Sequence, residues 1–147
     1  PSRQASTLIG QDTHMSEILN LGRSKVEVNI KTLMMVDSLD MKDSDRKLII
    51  DSCKASIEKN IIITHGTDTM TETANKLGEK NLNKTIVLTG AMIPYKFGTS
   101  DGLFNIASAL AYVQTLSHGV YVAMNGRVFT YDNVIKNKKT GVFEDIR

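Results

Sequence analysis

Ile61-Ile62-Ile63-Thr64-His65-Gly66-Thr67-Asp68-Thr69-Met70 is the stretch on which the reading of this chain turns. Three consecutive β-branched residues bounded by polar ones make the short apolar run expected of a strand buried on both faces of a parallel sheet. Beyond it the spacing changes. Met70, Ala74 and Leu77 recur at helical intervals, so a helix is expected to begin near Thr69 and to stop at Gly78. A strand that runs straight into a helix is half of a βαβ unit, and the junction lies where such folds hold their ligands.

Similar runs lie on either side. Ile86-Val87-Leu88 and Val120-Tyr121-Val122-Ala123-Met124 read as further buried strands, while Val26, Val28 and Ile30 alternate with polar residues and lead into Leu33-Met34-Met35-Val36. One helix is expected after Asp43-Ser44, with Ile49, Cys53 and Ile57 on its inner face to about Lys59. Another is expected from Asp101 to Leu116, with Leu103, Ala107, Leu110 and Ala111 as its stripe. Asn125-Gly126 between two apolar runs predicts a type I′ hairpin whose second strand covers Arg127 to Tyr131. The basic segment from Lys136 to Thr140 reads as a loop. This alternation predicts an α/β fold: a three-layer, open, mostly parallel sheet with helices on both faces, flavodoxin-like, with right-handed crossovers and a C-terminal hairpin.

The 147 residues fit one domain, read as 1–147, and 41% hydrophobic content is enough for a substantial core. A formal charge of +2 with the two signs interleaved gives no surface designed for nucleic-acid phosphates or anionic lipid, so neither is expected as a partner. No apolar run approaches the about 18 residues of a membrane span. The single cysteine, Cys53, has no partner for an internal disulfide and falls in a helical pattern, which suits a buried small hydrophobe in a reducing, cytoplasmic setting.

The polar residues between Thr64 and Thr69 admit two readings. A helix start attracts anions, Gly66 permits a sharp turn, and Thr67 with Asp68 sets a hydroxyl beside a carboxylate, which suits a carboxylate-bearing substrate. Alternatively Thr67 or Asp68 merely caps the helix. His65 reads as a hydrogen-bonded structural residue beside a turn rather than as a catalyst. The loops Asp37-Ser38-Leu39-Asp40-Met41 and Thr89-Gly90-Ala91-Met92 follow neighbouring strands, so Ser38, Thr67, Asp68 and the turn at Ala91 are candidates to line one polar cleft. For Ser38 and Asp40 an ordinary turn is the alternative, and for Lys136, close to Lys138 and Lys139, a solvated surface is.

Ile62-Ile63-Thr64-His65-Gly66-Thr67-Asp68-Thr69-Met70 resembles the second signature of the bacterial asparaginase/glutaminase family. The likeness extends from Ser38 to Lys136. Asp37-Ser38-Leu39-Asp40-Met41 resembles the substrate-carboxylate loop, Thr89-Gly90-Ala91-Met92 the next strand end, Asp101-Gly102 with Phe104-Asn105 the following helix start, and Val134-Ile135-Lys136-Asn137 the segment with the catalytic lysine.

The resemblance implies hydrolysis of the side-chain amide of asparagine, with glutamine as a second candidate, by acyl transfer through threonine and without metal or organic cofactor. It implies that Thr67 attacks or positions water, that Lys136 eases its deprotonation, that Asp68 holds the substrate's α-amino group, and that Ser38 binds the α-carboxylate, with Leu39 and Ala91 beside it. A homo-oligomer is implied as well. The family's first signature, Thr-Gly-Gly-Thr-Ile, has no counterpart, and Leu39 stands where a glutamine is common. The expectation is therefore a domain lacking the family's first strand and its C-terminal domain. The rival reading is a non-catalytic amino-acid-binding domain or an amidotransferase subunit.

Overall fold

The computed structural model describes residues 5–10, 15–34, 37–93 and 100–147. Six strands, β1 (Ala5–Gly10), β2 (Glu27–Thr32), β3 (Asn60–Thr64), β4 (Thr85–Thr89), β5 (Gly119–Met124) and β6 (Arg127–Thr130), form one sheet in the order β2-β1-β3-β4-β5-β6. Pairing is parallel from β2 across to β5 and antiparallel between β5 and β6. Helices α1 (Met15–Leu21), α2 (Asp43–Ala55), α3 (Met70–Gly78) and α4 (Gly102–Thr115) occupy the connections. A small antiparallel pair, β7 (Ile135–Lys136) and β8 (Phe143–Glu144), follows. The five parallel strands have the flavodoxin-like order.

Strand alternation divides the core into two apolar layers. Ile61, Ile63, Ile86, Leu88, Val120 and Val122 face Ile49, Ile50 and Cys53 of α2 and Met70, Ala74 and Leu77 of α3. Ile62, Val87 and Ala123 face the other way, against Met15 and Ile18 of α1 and Ile106, Ala109 and Val113 of α4. Burying each of the larger side chains stabilises the fold by about 1.5–3 kcal/mol, so β3 and β4, covered on both sides, are its most strongly held part. Burial also pushes the Cys53 thiol up to about 12, out of reach of oxidation chemistry at neutral pH.

This division sets the hand of the crossovers. The steps from β2 to β3 and from β3 to β4 cross the sheet in one direction with α2 and α3 on one face, and the step from β1 to β2 runs the other way with α1 on the opposite face. These three units share one hand. The step from β4 to β5 keeps the direction of the preceding two but puts α4 on the opposite face, so its hand is reversed. The expectation that every crossover is right-handed fails here, because α4 packs its apolar face on the layer that α1 occupies and not on that of α2 and α3.

Other expectations also give way. A strand precedes Val26: β1 pairs with both β2 and β3, so the sheet does not lack an opening strand, although Ala5-Ser6-Thr7-Leu8-Ile9-Gly10 carries no Thr-Gly-Gly-Thr-Ile signature. β2 is an edge strand with Ile30 43% exposed, and Leu33 and Met34 only skirt the core; Met35 and Val36 lie outside the described residues. The inner face of α4 is Gly102, Asn105, Ile106, Ala109 and Val113, about one residue round from the expected stripe. That helix is apolar on most sides, and the rotation is set instead by Asn105, which donates to Gly90 O at 2.8 Å and to Asp101 Oδ2 at 3.0 Å.

Helix α2 stops at Ala55 instead of Lys59, and Ile57 is exposed. The cause is Lys84, a buried residue at the start of β4 whose ammonium donates to the carbonyls of Cys53, Lys54 and Ser56. A cation is well placed against the carbonyls that end a helix. Lys84→Met leaves those carbonyls without their donor, and a loss of about 1–3 kcal/mol in unfolding free energy is expected from urea titration. An unchanged midpoint and slope would show that water serves the carbonyls as well as the ammonium does.

Candidate active site

Three loops leave the sheet at the carboxyl edge of its parallel strands, and each is fastened from behind by polar groups. The first is a single 3₁₀ turn, Ser38–Asp40, opened by Asp37, whose carboxylate accepts from Leu39 N at 3.1 Å. Ser38 is 1% exposed, and its hydroxyl finds no hydrogen-bond partner among the described residues. A buried hydroxyl left unmet costs about 1–3 kcal/mol, so Ser38 Oγ is the polar group of this turn that gains most from a ligand. The side chain of Leu39, by contrast, is 70% exposed.

The second loop follows β3. His65 N donates to Thr89 O at 2.9 Å, which ties it to the end of β4. The His65 ring is buried between Gly66 O, 2.7 Å from Nδ1, and Thr73 Oγ1, 2.8 Å from Nε2. A carbonyl only accepts, so Nδ1 carries a proton, and in the neutral ring Nε2 accepts from the Thr73 hydroxyl. Burial favours that neutral form and holds the pKa below the ordinary 6.5 despite the Gly66 bond, which acts the other way. Buried and bonded on both sides, the His65 ring fixes the turn at Gly66. Gly66 is required by close approach: a Cβ there would lie 2.8 Å from both Cβ and Oγ of Ser38.

The third loop follows β4. Thr89 is fully buried and its hydroxyl donates to Ala123 O at 2.7 Å, so this residue holds the sheet and does not line a cleft. Ala91 lies half-buried on the turn beyond it. Asp101, at the start of α4, accepts from Met92 N and Ile93 N, each at 3.0 Å, and Asn105 holds Gly90 O. The carboxylate and amide of α4 thus hold the backbone of this turn at three points.

Lys136 completes the arrangement. Its expected place in a solvated basic loop is corrected: it lies in β7, opposite Phe143 of β8, and its side chain is 13% exposed, whereas Lys138 and Lys139 are exposed. Val134 and Phe143 are buried and anchor the pair, and Phe143 N donates to Asn125 Oδ1 in the β5–β6 turn at 2.8 Å. That turn has φ +58 at Asn125 and +74 at Gly126, the type I′ geometry expected there. So anchored, Lys136 Nζ donates to Thr67 Oγ1 at 2.9 Å and to Asp68 Oδ1 at 3.0 Å. A hydroxyl, a carboxylate and an amine from distant parts of the chain share one point.

Sequence reasoning missed Arg46, Thr69 and Thr73. Arg46 is 4% exposed and donates to Thr73 Oγ1 at 2.9 Å and Thr69 Oγ1 at 2.8 Å, and Thr69 Oγ1 donates to Ser38 O at 2.8 Å. A charged residue on a helix with several other charges gives no periodic signal of burial, so no local pattern marks it.

An open α/β domain with its polar groups gathered at the strand ends is the class that the fold and the site define. Residues 2–144 match the family described as Asparaginase, N-terminal, and the chain belongs to that family. It is 35% identical over 140 residues to a Haemophilus influenzae protein named "Probable L-asparaginase periplasmic", a match covering 92% of this chain and 39% of that protein. L-asparaginase I from Vibrio cholerae shares the fold with a TM-score of 0.88 at 23% identity, over 98% of this chain and 52% of that one. A Campylobacter jejuni structure described as "Probable Cytoplasmic L-asparaginase" gives 0.85 at 24% identity, over 97% and 53%. The chain thus spans only about half, or less, of the length of these relatives.

Because His65 is neutral when folded and its pKa lies below 6.5, the unfolded chain takes up a proton that the fold refuses. The stability this residue contributes is whole above pH 6.5 and is lost as pH falls through the folded-state value. Unfolding free energy measured in urea is expected to fall between pH 6.5 and 5 more steeply for the wild type than for His65→Asn, by at most about 1.4 kcal/mol per pH unit. Above pH 7 the two pH slopes converge. Equal slopes throughout would mean that burial leaves the titration of the ring unshifted.

Proposed function

We propose that this chain carries an amide-hydrolysing site of asparaginase type, acting on the side-chain amide of L-asparagine and, as a second substrate, L-glutamine. The observation that carries the reading is the contact of Lys136 Nζ with both Thr67 Oγ1 and Asp68 Oδ1. Thr67 is the hydroxyl that adds to the amide carbon or orders the water that does. Lys136 relays the proton that this oxygen loses to the departing nitrogen, so that ammonia leaves and an acyl ester or the free acid remains. Asp68 holds the α-ammonium of the substrate while remaining bonded to Lys136. Ser38 Oγ, the unmet hydroxyl of the first loop, receives the α-carboxylate. The backbone of Leu39 and the turn at Ala91 line the site on either side. The reaction assigned to these residues uses no metal and no organic cofactor.

We read residues 1–147 as one functional domain working in the cytoplasm as a homo-oligomer. The burial of the sole cysteine supports the compartment, and the exposed edge strand β2 supports self-association. Among the described residues no helix is long and apolar enough to cross a membrane.

Release of ammonia from L-asparagine and L-glutamine is the decisive assay. The wild-type chain is expected to release it, and Thr67→Val to lose at least about a thousandfold in rate while L-aspartate affinity by calorimetry stays within a few-fold. A wild type that binds aspartate without producing ammonia would be a binding domain, and a Thr67→Val variant at full rate would show that the roles are misassigned.

A further inference from the structure

Arg46 is an expensive residue to keep where it is. Its guanidinium lies under the first two loops, and its only carboxylate contact among the described residues is Glu72 Oε2 at 3.4 Å, from a side chain that is 62% exposed. The other contacts are neutral: Nε to Thr73 Oγ1 at 2.9 Å, Nη2 to Thr69 Oγ1 at 2.8 Å, and Nη1 to Met41 O at 3.3 Å. A buried charge held mainly by neutral acceptors does little for stability, and an apolar side chain of similar volume often serves the fold as well or better. What the guanidinium provides is a planar fork that fixes several acceptors at once.

Both arms of that fork end on a loop that faces the substrate. Through Thr69, whose hydroxyl donates to Ser38 O at 2.8 Å, Arg46 holds the 3₁₀ turn. Through Thr73, 2.8 Å from His65 Nε2, it holds the ring whose Nδ1 grips Gly66 O at 2.7 Å, one residue before Thr67. The two loops also touch directly, since a Cβ on Gly66 would lie 2.8 Å from Ser38 Oγ. We infer that Arg46 is a positioning residue that clamps the carboxylate-binding turn and the Thr67-Asp68 loop into one rigid cradle and so sets substrate affinity without touching the substrate. This rests on the function proposed above for those loops, and it adds a residue that the site's own motifs do not contain.

The test compares Arg46→Met, which fills the space without charge or fork, with Arg46→Lys, which keeps the charge and loses the fork. Three quantities are read: KM and kcat for L-asparagine, L-aspartate affinity by calorimetry, and amide hydrogen exchange at Leu39, Asp40, Thr67 and Asp68. Arg46→Met is expected to fold with a urea stability lowered to an extent similar to Lys84→Met, to raise KM and weaken aspartate about tenfold with a smaller change in kcat, and to speed exchange at both loops together. Arg46→Lys is expected not to restore any of these. Unchanged KM and exchange in Arg46→Met, loosening of one loop alone, or full rescue by lysine would each overturn the clamp. Should Arg46→Met not fold, Thr69→Val and Thr73→Val cut the arms singly, and each is expected to speed exchange in its own loop; no change in either has the same overturning force. If the wild type neither turns over asparagine nor binds aspartate, the proposed function fails, while the exchange measurements, which need no ligand, still decide the clamp.

Discussion

Everything at the site depends on one hydrogen-bonded junction, in which the Lys136 ammonium bridges the Thr67 hydroxyl and the Asp68 carboxylate, 69 and 68 positions away along the chain. A lysine side chain has ample freedom to leave such a point, so the contact persists only where the backbone on both sides is over-determined. On one side stands β3, covered on both faces. On the other stands the β7–β8 pair, a two-stranded element too small to be stable alone. It is held by the burial of Val134 and Phe143 and by the Asn125 side chain in the β5–β6 turn. The antiparallel end of the fold therefore works as a bracket for one amine.

Among the described residues two cations, Lys84 and Arg46, are buried and Lys136 is largely so, and each is treated differently. Lys84 is given three helix carbonyls, a neutral cradle with a favourable helix dipole, and its work is to end α2. Lys136 is given a carboxylate and a hydroxyl and keeps some contact with water. Arg46 is given two hydroxyls, a carbonyl and an exposed carboxylate. Of the two ammonium groups only Lys136 meets a carboxylate and a hydroxyl together, and the Arg46 guanidinium, which also meets both, does not give up its proton. The arrangement around Arg46 transmits shape rather than charge, and Lys84 acts at a helix end without a link to the substrate loops.

What was legible in the sequence follows from how local each determinant is. Strands β3, β4 and β5, helix α3 with Met70, Ala74 and Leu77, and the Asn125-Gly126 turn each depend on a few adjacent residues, and they fall where those residues indicate. The end of α2 was not legible because Lys84, far along the chain, decides it. Nor was the rotation of α4, where apolar residues on most sides let Asn105 choose the buried face. The reversed crossover at α4 depends on where its neighbours already lie, which no local pattern records. β1 carries too few apolar residues to stand out and is a strand through pairing with β2 and β3. At the candidate site, the local pattern placed Thr67, Asp68 and Ser38 at strand ends but left their roles open, and the roles came from the family resemblance. Lys136 was open to two readings on its spacing, since burial of a lysine in a basic run is a tertiary fact, and Arg46 was silent for the same reason.

The remaining step concerns why the supporting groups are polar at all. Apolar packing under the loops would hold their average position, but dispersion contacts are weakly directional, and a site that must distinguish a carboxylate from an amide tolerates displacements of only a few tenths of an ångström. Hydrogen bonds from Arg46, Thr69, Thr73, His65, Asp101 and Asn105 fix the carbonyls and amides of the three loops by angle as well as distance. Their burial raises both the strength of each bond and the penalty for leaving it unmade. The loops are consequently held in a single arrangement or released together, and Ser38 Oγ, the one buried side-chain group left unmet among the described residues, lies inside that arrangement. On the proposed function, in which Ser38 Oγ receives the substrate carboxylate, this polar framework is organised for its ligand before the ligand arrives.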